Sequence, residues 1–288
     1  MTIGPQFPVY IPSKSRAAIA TTPRVLDVLG VDYRLVVEEA QADEYRRAFD
    51  PDRVLVLDPT FQRDYDTFDD LGDTKSRGPG PARNFAWEHA RSEGATWHWV
   101  MDDNIRLFAR FDQNRRIPVG DGAMFAAMET FALRYRNLAM VGPEYWMFQR
   151  SRERVRPFRL NTRIFSCNLI RNDVRQRWRG RYNEDLDLSI SVLKAGWTTV
   201  LFQTFLQWKT PTQVMPGGNT EAFYAEEGTT AKSRMAVAMH PDVCRLAYRW
   251  GRAHHVADFA RWKDRPLVRR SAEEIPTDPI YREKREAR

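Results

Sequence analysis

The chain has 288 residues, of which 42% are hydrophobic, 12% aromatic and 29% charged. This composition is typical of a folded globular protein and excludes a collagen, a coiled-coil rod and a wholly disordered chain. The 45 Lys and Arg residues outnumber the 38 Asp and Glu residues, so the formal charge is +7. An excess of this size is compatible with an anionic partner such as nucleic acid, but it does not require one.

The cysteine content and the terminal patterns exclude several other classes. Only Cys167 and Cys244 occur, and no C-x-x-C spacing is present, which argues against a disulfide scaffold and a thiolate zinc site. No apolar run approaches the roughly 18 residues of a membrane span, and the N-terminus lacks the pattern of a secretory signal. We therefore expect a cytoplasmic protein without a membrane partner.

The first part of the chain alternates short strands with helices. The pattern predicts strands over 9–11, 33–37 and 53–57, and helices over 22–29 and 42–49. This order predicts an α/β fold in which a mainly parallel, Rossmann-like sheet is flanked by helices. In such folds ligands bind beyond the carboxyl ends of the strands, so we expect the chemistry there.

The rest of the chain continues this pattern with longer interruptions. The polar segment 58–80 is predicted to be a flexible active-site loop. Further helices are predicted over 81–93, 123–135 and 184–194, and further strands over 97–101, 139–141, 145–149, 163–170 and 198–203. The remainder is interpreted as helical and basic, with residues 1–262 as a single domain and residues 263–288 as a charged, loosely ordered tail.

Two acidic motifs carry the strongest chemical signals. Asp102-Asp103-Asn104 directly follows a hydrophobic strand, where such oxygen ligands suit Mg²⁺ or Mn²⁺; a simple turn is the other interpretation. Glu184 and Asp185 open a helix, where carboxylates either supply a general base or merely complement the helix dipole.

Basic and histidine-containing segments supply further candidates. The Gly-rich segment around Lys75, Arg77 and Arg83 leads into a helix and is suited to phosphate oxygens, although it is neither a Walker A nor a G-x-G-x-x-G motif. His240 is a candidate fourth metal ligand, with a packing role as the alternative. A candidate DNA surface, which could instead be a solvated basic face, comprises Arg152, Arg154, Arg156, Arg249, Arg252, His254 and His255.

The order of these features resembles that of the GT-A fold glycosyltransferases over residues 7–245. Asp102-Asp103-Asn104 resembles their D-x-D motif, and Glu184-Asp185 resembles their later acidic helix start. The third motif position is normally Asp, so either Asn104 coordinates through its carbonyl or Asp103 takes over. The runs around Arg83-Asn84 and before Asp102 are more narrowly similar to the phage and TET/JBP-associated glycosyltransferases that act on hydroxymethylated pyrimidines in DNA.

This resemblance implies a metal-dependent, inverting enzyme that transfers a sugar from a UDP-sugar to 5-hydroxymethylpyrimidine in DNA, with 5-hydroxymethylcytosine as first choice. A phage-encoded member would act in the host cytoplasm. The implied catalytic residues are Asp185, as the general base, and Glu184. The implied ligands of the nucleotide sugar are Pro12, Ser13, Arg16, Glu38, Arg83, Asn84 and Asp102. The implied ligands of Mn²⁺ or Mg²⁺ are Asp102, Asp103, Asn104 and His240.

Three other classes remain open at this point. The first is a GT-A enzyme that acts on a small molecule, a polysaccharide or a protein. Only the weak excess of basic residues, which such an enzyme would not need, distinguishes it from an enzyme that acts on DNA. A nucleotidyltransferase also uses paired acids and a metal, but it does not need the acidic helix start. A non-catalytic DNA-binding protein would need carboxylates at neither place.

Overall fold

The structure is a computed structural model that describes residues 3–69, 76–151, 155–210, 225–249, 251–271 and 273–275. Its strands are β1 (Val9–Pro12), β2 (Arg34–Val37), β3 (Val54–Val56), β4 (Trp97–Met101), β5 (Ile105–Asp112), β6 (Arg115–Pro118), β7 (Leu138–Tyr145), β8 (Phe158–Leu160), β9 (Cys167–Arg171), β10 (Thr198–Lys209), β11 (Cys244–Arg249) and β12 (Arg252–Ala257). Its α-helices are α1 (Thr22–Val28), α2 (Ala42–Ala48), α3 (Pro59–Arg63), α4 (Gly80–Ser92), α5 (Ala123–Leu133), α6 (Glu184–Lys194) and α7 (Ala225–Met239).

One large sheet has the strand order β3-β2-β1-β4-β9-β7-β10-β5-β6, and β8 pairs with β10. Strands β3, β2, β1 and β4 run parallel to one another, as do β7 and β10. Strand β9 is antiparallel to both of its neighbours, β4 and β7. The strands from β3 to β10 in this order therefore point the same way except for β9, which confirms the α/β class and the mostly parallel central sheet.

Helices cover the sheet on both faces because alternate strand residues point to opposite sides. In β4, Trp97, Trp99 and Met101 belong to the core that Leu26 of α1 and Phe125 of α5 complete. On the other face, Val100 packs with Ala86 and Ala90 of α4. All five residues of β4 are buried, so this strand lies at the centre of the molecule.

Several elements differ from those predicted from sequence. A short helix, α3, lies inside the segment predicted to be a loop. The polar stretch after Asn104 contains the hairpin β5–β6, whose turn residues Gln113 and Asn114 both have positive φ. Strand β7 extends to Tyr145, and residues 146–148 form a turn and not the predicted strand.

The C-terminal region was predicted to be helical, and this is wrong for residues 244–257. Strands β11 and β12 pair antiparallel there, and Gly251 turns between them with a φ of 72°. Within the region predicted to be helical, α7 is the α-helix among the described residues.

The described part of the predicted tail contacts the domain. Arg265 donates to the carbonyls of Leu193 and Trp197 at 2.5 and 2.7 Å, and the backbone of Arg270 donates to the carbonyl of Arg134 at 2.8 Å. Residues 276–288 lie outside the described residues. None of the helices in the described segments has the length and apolarity that a bilayer crossing requires.

Candidate active site

The start of α1 holds the turn that follows β4. The backbone N–H groups of Thr21 and Thr22 donate to the carbonyl of Asp103 at 2.9 and 3.1 Å. The hydroxyl of Thr22 donates to the carbonyl of Asp102 at 2.5 Å and accepts from the N–H of Ile105 at 2.8 Å. These four hydrogen bonds fix the backbone from which the side chains of Asp102, Asp103 and Asn104 project.

A cleft of about 400 Å³ lies along the carboxyl ends of the parallel strands. Pro12 at the end of β1, and Ser13, Lys14 and Arg16 after it, lie at one end of it. Asp102 after β4 and Ser166 before β9 are in the middle, and Tyr145 and Lys209, at the ends of β7 and β10, are at the other end. The cleft is therefore where the α/β pattern predicts a ligand site.

Arg83 of α4 is the centre of the charged group in this cleft. Its guanidinium donates to Asp102 at 2.7 Å and to Asp185 at 2.8 Å, and it lies 3.3 Å from Glu184. The indole ring of Trp178 covers it at 4.5 Å. Burial disfavours the guanidinium charge, but the three carboxylates outweigh burial and raise the pKa of Arg83. Arg83 therefore stays charged and connects the strand-end acid to the helix-start acids.

Lys209 gives Asp102 a second positive partner. Its ammonium group pairs with the carboxylate of Asp102 and donates to the hydroxyl of Ser166 at 3.0 Å. Burial opposes ionisation of Asp102, but Lys209 and Arg83 outweigh it and hold the pKa of Asp102 well below its usual range. Burial likewise opposes the charge of Lys209, and Asp102 outweighs burial and raises the pKa of Lys209.

Asp185 is held by donors from three elements. Arg83 donates to one of its oxygens, the backbone N–H of Ser166 donates to the other at 3.2 Å, and Asn168 of β9 donates at 3.4 Å. Burial raises the pKa of the neighbouring Glu184, although Arg83 opposes this effect. Asn183 precedes α6 with a φ of 57° and makes no side-chain cap.

The loop after β1 contacts the second acid of the motif. Ser13 donates to Asp103 at 2.7 Å, and the guanidinium of Arg16 donates to its other oxygen at 2.8 Å. The hydroxyl groups of Ser13 and Tyr45 lie 2.7 Å apart. Asp103 borders the cleft, and both of its carboxylate oxygens accept hydrogen bonds from this network. Its partners indicate a role in shaping the β1 loop.

Glu38, at the end of β2, completes this end of the cleft. Its carboxylate accepts from Lys14 at 2.7 Å and from Gln62 of α3 at 2.9 Å. Pro12, Ser13, Arg16 and Glu38 therefore line the same cleft as Arg83 and Asp102, as the resemblance implies for ligands of one nucleotide sugar.

Two predicted site residues lie outside the cleft lining. Asn84 makes two hydrogen bonds with the backbone of Trp178, at 2.9 and 3.1 Å, so it positions the ring that covers Arg83. Nε2 of His240 lies 2.8 Å from the buried carboxylate of Asp187, and its Nδ1 lies 3.2 Å from Lys194. The structure therefore does not bring His240 to Asp102.

The predicted DNA-binding residues fall into two groups. Arg156 is exposed, whereas Arg152 and Arg154 lie outside the described residues. Arg249 and Arg252 are exposed on the hairpin β11–β12, beside the half-buried His254. Burial, and then the neighbouring Arg163 and Lys232, lower the pKa of His255 to about 4, so this histidine is neutral at pH 7.

Several cleft residues had not been predicted from sequence. They are Lys209, Ser166, Tyr145 and Lys232. Strand β10 was predicted to end at Gln203, although the apolar residues Phe205 and Leu206 continue it toward Lys209. This apolar continuation could have placed Lys209 at a strand end. A lone Ser or Tyr beside a strand gives no comparable indication of a site.

The glycines at the start of α4 have packing roles. A Cβ atom on Gly80 would lie 1.8 Å from the hydroxyl of Tyr65, and one on Gly78 would lie 2.8 Å from the carbonyl of Arg181. Tyr65 in turn donates to the carbonyl of Gly180 at 2.8 Å. The small size of these glycines therefore lets the start of α4 pack closely against Tyr65 and the loop before α6.

The residues suited to a divalent cation are Asp102 and Asn104. In the described parts of the chain, no three His, Cys, Asp or Glu side chains are arranged to hold a metal ion. The side-chain oxygen of Asn104 is buried beside the cleft and accepts no hydrogen bond from any described residue. Mg²⁺ usually takes one or two protein carboxylates and completes its shell with substrate phosphates and water, so Asp102 and Asn104 would hold it with Arg83 or Lys209 displaced from one oxygen of Asp102.

The sheet and the cleft together define an α/β enzyme of the class that binds its ligands at strand ends. A family model described as TET-Associated Glycosyltransferase matches residues 7–218. This match covers more than half of the chain, so the protein belongs to the TET-associated glycosyltransferases and is a glycosyltransferase, as predicted. No curated protein matches the chain at a significant level.

Proposed function

We propose that the protein is a metal-dependent, inverting glycosyltransferase that transfers a sugar from a UDP-sugar to the hydroxyl group of 5-hydroxymethylcytosine in DNA. The observation that carries this proposal is the position of Arg83, whose guanidinium connects Asp102 at a strand end to Asp185 at a helix start within one cleft. This arrangement puts cations suited to a diphosphate next to a carboxylate suited to proton removal.

The donor side of the cleft suits a nucleoside diphosphate. The carboxylate of Glu38, positioned by Lys14 and Gln62, is a hydrogen-bond acceptor at the end of β2. Uridine presents donors of the required kind in its base N–H and its ribose hydroxyls. The diphosphate then extends along the cleft toward Asp102, where Arg83 and Lys209 supply positive charge.

The chemical step needs one proton acceptor and one stabilised leaving group. The carboxylate of Asp185 takes the proton of the acceptor hydroxyl as that oxygen bonds to the anomeric carbon. The bond between the anomeric carbon and the diphosphate oxygen breaks, and UDP leaves with the electron pair. Arg83 and Lys209 stabilise the charge that develops on the departing diphosphate.

A bound Mg²⁺ or Mn²⁺, held by Asp102 and Asn104, would add Lewis-acid neutralisation of the leaving diphosphate. The hydrogen bonds from α1 to the backbone of residues 102–103 keep these two ligands in place. Lys209 and Arg83 already contact Asp102, so they hold its carboxylate ionised for this role.

The family description and the charge support DNA as the acceptor. The name of the family associates it with TET proteins, and the chain carries a formal charge of +7. A hydroxymethyl group inside a duplex is poorly placed for in-line attack, so the base has to be extruded at a cost of about a few kcal/mol.

A transfer assay with defined duplexes tests this function. UDP-glucose and UDP-N-acetylglucosamine are each incubated with duplexes that contain cytosine, 5-hydroxymethylcytosine or 5-hydroxymethyluracil, with Mn²⁺ present. We expect mass spectrometry to show one added sugar on the 5-hydroxymethylcytosine duplex and none on the cytosine duplex. Transfer to neither modified duplex, together with transfer to a polysaccharide, protein or small-molecule acceptor, would contradict the DNA assignment.

A further inference from the structure

Exposed aromatic and apolar side chains lie at the ends of β7 and β10. We define this aromatic shelf as Trp146, Met147, Phe148 and Trp208. Met147, Phe148 and Trp208 are 67%, 55% and 46% exposed, and Phe148 also lines the cleft. Clustered exposed apolar side chains next to an active site indicate a surface that receives a ligand.

The shelf is built on a packed foundation. The rings of Trp146 and Trp208 stack with their centroids 5.8 Å apart and an interplanar angle of 27°. Trp146 also packs on Leu206 and its apolar neighbours, and its backbone N–H donates to the carbonyl of Gln207 at 2.8 Å. The backbone of Phe148 donates to the carbonyl of Tyr145 at 3.0 Å. A ligand that binds here therefore meets a preorganised surface, which reduces the entropic cost of binding.

Two hydrogen bonds connect the shelf to the chemical centre. The Phe148 ring lies 5.4 Å from the ring of Tyr145, whose hydroxyl lies 2.5 Å from the hydroxyl of Ser166. The backbone N–H of Ser166 donates to Asp185. Strand order puts the nucleoside end of the cleft at β1 and β2 and the shelf at β7 and β10, on the other side of Asp102. In an inverting transfer the acceptor attacks from the face opposite the diphosphate, and the shelf lies on the far side of Asp102 from the nucleoside end.

Arginines surround the shelf and indicate the chemistry of its ligand. The guanidinium of Arg116 lies 5.4 Å from the Trp146 ring centroid, and that of Arg163, which lines the cleft, lies 4.6 Å from the ring of Phe165. Arg150 and Arg156 are exposed on the following segment. Aromatic faces interleaved with arginines bind single-stranded nucleic acid, since the rings stack on bases and the cations contact phosphates. A neutral polysaccharide would make no use of these cations.

We propose that the aromatic shelf holds the acceptor nucleotide. The hydroxymethylated pyrimidine, extruded from the duplex or already unpaired, stacks on Phe148 and directs its hydroxymethyl group toward Asp185. The adjacent base packs on Met147 and Trp208, and the arginines beside them contact the backbone phosphates. This inference rests on the proposed function, because it identifies the part of that site that binds DNA.

The affinity for an oligonucleotide tests the shelf separately from sugar transfer. Fluorescence anisotropy measures binding of a labelled single-stranded 5-hydroxymethylcytosine oligonucleotide to the full chain in the presence of UDP. We expect Phe148→Ala to weaken binding by about fivefold to a hundredfold, the range that base–aromatic stacking supplies. Phe148→Leu, which keeps apolar bulk without a ring, should give an intermediate loss.

Matched variants control for folding and for other surfaces. Val28→Ser changes an apolar side chain that is 82% exposed on α1 and should leave DNA affinity unchanged. UDP affinity and the melting temperature of Phe148→Ala should equal those of the wild type. Unchanged DNA affinity in Phe148→Ala would overturn the proposal. A loss in Tyr248→Ala, on β11, without one in Phe148→Ala would do the same and assign the contact to the hairpin.

The outcomes separate this inference from the proposed function. If the wild type glycosylates DNA and Phe148→Ala does so with the same KM for the oligonucleotide, the shelf proposal fails while the function stands. If Phe148→Ala weakens DNA binding but no sugar reaches DNA, the shelf is a DNA-binding surface, whereas its acceptor role and the proposed function both fail.

Discussion

Nη1 of Arg83 donates to Oδ1 of Asp185 across 2.8 Å, and this hydrogen bond joins helix α4 to helix α6. The side chain of Arg83 is only 3% exposed, so water solvates its charge poorly and the carboxylate of Asp185 compensates it. Removing one member of a buried ion pair leaves the other charge uncompensated. The bond therefore orients the carboxylate of Asp185, as a general base requires.

Asp185→Asn should lower sugar transfer by roughly 10²-fold or more while the protein still folds and binds UDP. The amide has the same shape and keeps an oxygen for Arg83, but it cannot accept a proton from the acceptor hydroxyl. Initial-rate kinetics measure the loss, and calorimetry measures UDP affinity. Glu184→Gln, which removes the neighbouring carboxylate 3.3 Å from Arg83, should lower turnover less than Asp185→Asn does. Wild-type turnover in Asp185→Asn would reduce Asp185 to a structural partner of Arg83.

The two adjacent acids of the motif should respond differently to amide substitution. Asp102→Asn should abolish the strengthening of UDP binding by Mn²⁺, since Asp102 is the carboxylate proposed to hold the ion. Asp103→Asn should keep that strengthening and instead lower the free energy of unfolding by about 2 kcal/mol, because the charged hydrogen bonds to Ser13 and Arg16 weaken. Calorimetry with and without EDTA and urea denaturation measure the two effects. Equal loss of the Mn²⁺ effect in both variants would indicate that Asp103 is also a metal ligand.

The salt dependence of DNA binding should identify the arginines that contact phosphates. Each contact contributes a slope of about 0.9 in log affinity against log salt concentration, because it releases counterions. The triple variant Arg152→Ala, Arg154→Ala and Arg156→Ala should flatten the slope and leave slow hydrolysis of the UDP-sugar unchanged. The double variant Arg249→Ala and Arg252→Ala tests the hairpin surface in the same way. A wild-type slope in both variants would show that neither group binds the backbone.

The buried His98 should make the protein less stable in acid. Burial lowers the pKa of His98 to about 3, against a weaker opposing effect of Asn172, so the ring is neutral in the folded protein. The unfolded ring titrates near 6.5, so its contribution to stability is complete above about pH 6.5 and is lost as the pH falls toward the folded pKa. We expect His98→Gln to reduce the pH dependence of the unfolding free energy between pH 6 and 4 by up to about 1.4 kcal/mol per pH unit. Urea unfolding across this range measures the slope, and an unchanged slope would contradict the assignment.

The sequence predicted the fold best where the signals are local. Alternating strands and helices over the first 57 residues identified β1, α1, β2, α2 and β3, because each has its own apolar pattern and boundary residues. The hairpin β5–β6 was missed because its arginines, among them Arg106 and Arg110, alternate with apolar residues and make the stretch look polar. The hairpin β11–β12 was predicted to be helical because its basic residues dominate the composition.

The site was predictable only in part, for a related reason. Asp102 and Asp185 were identified because each stands at a recognisable boundary, a strand end and a helix start. Lys209 was not identified, because its role depends on its ion pair with Asp102, which is distant in the sequence. Asn84 was assigned to the nucleotide sugar from the resemblance, together with Arg83, but on a helix consecutive residues point in different directions, and Asn84 contacts Trp178.

The antiparallel course of β9 also affects how the chain can assemble during synthesis. Strand β4 is a central, fully buried strand whose second edge is covered only by β9, and β9 emerges from the ribosome long after β4. Until then, the open edge of Trp97–Met101 is a template for pairing with another nascent chain. We therefore expect a chain truncated before β9 to aggregate. The strands on the two sides of β9 then cannot fold as separate units, and neither can the two ends of the cleft that they carry.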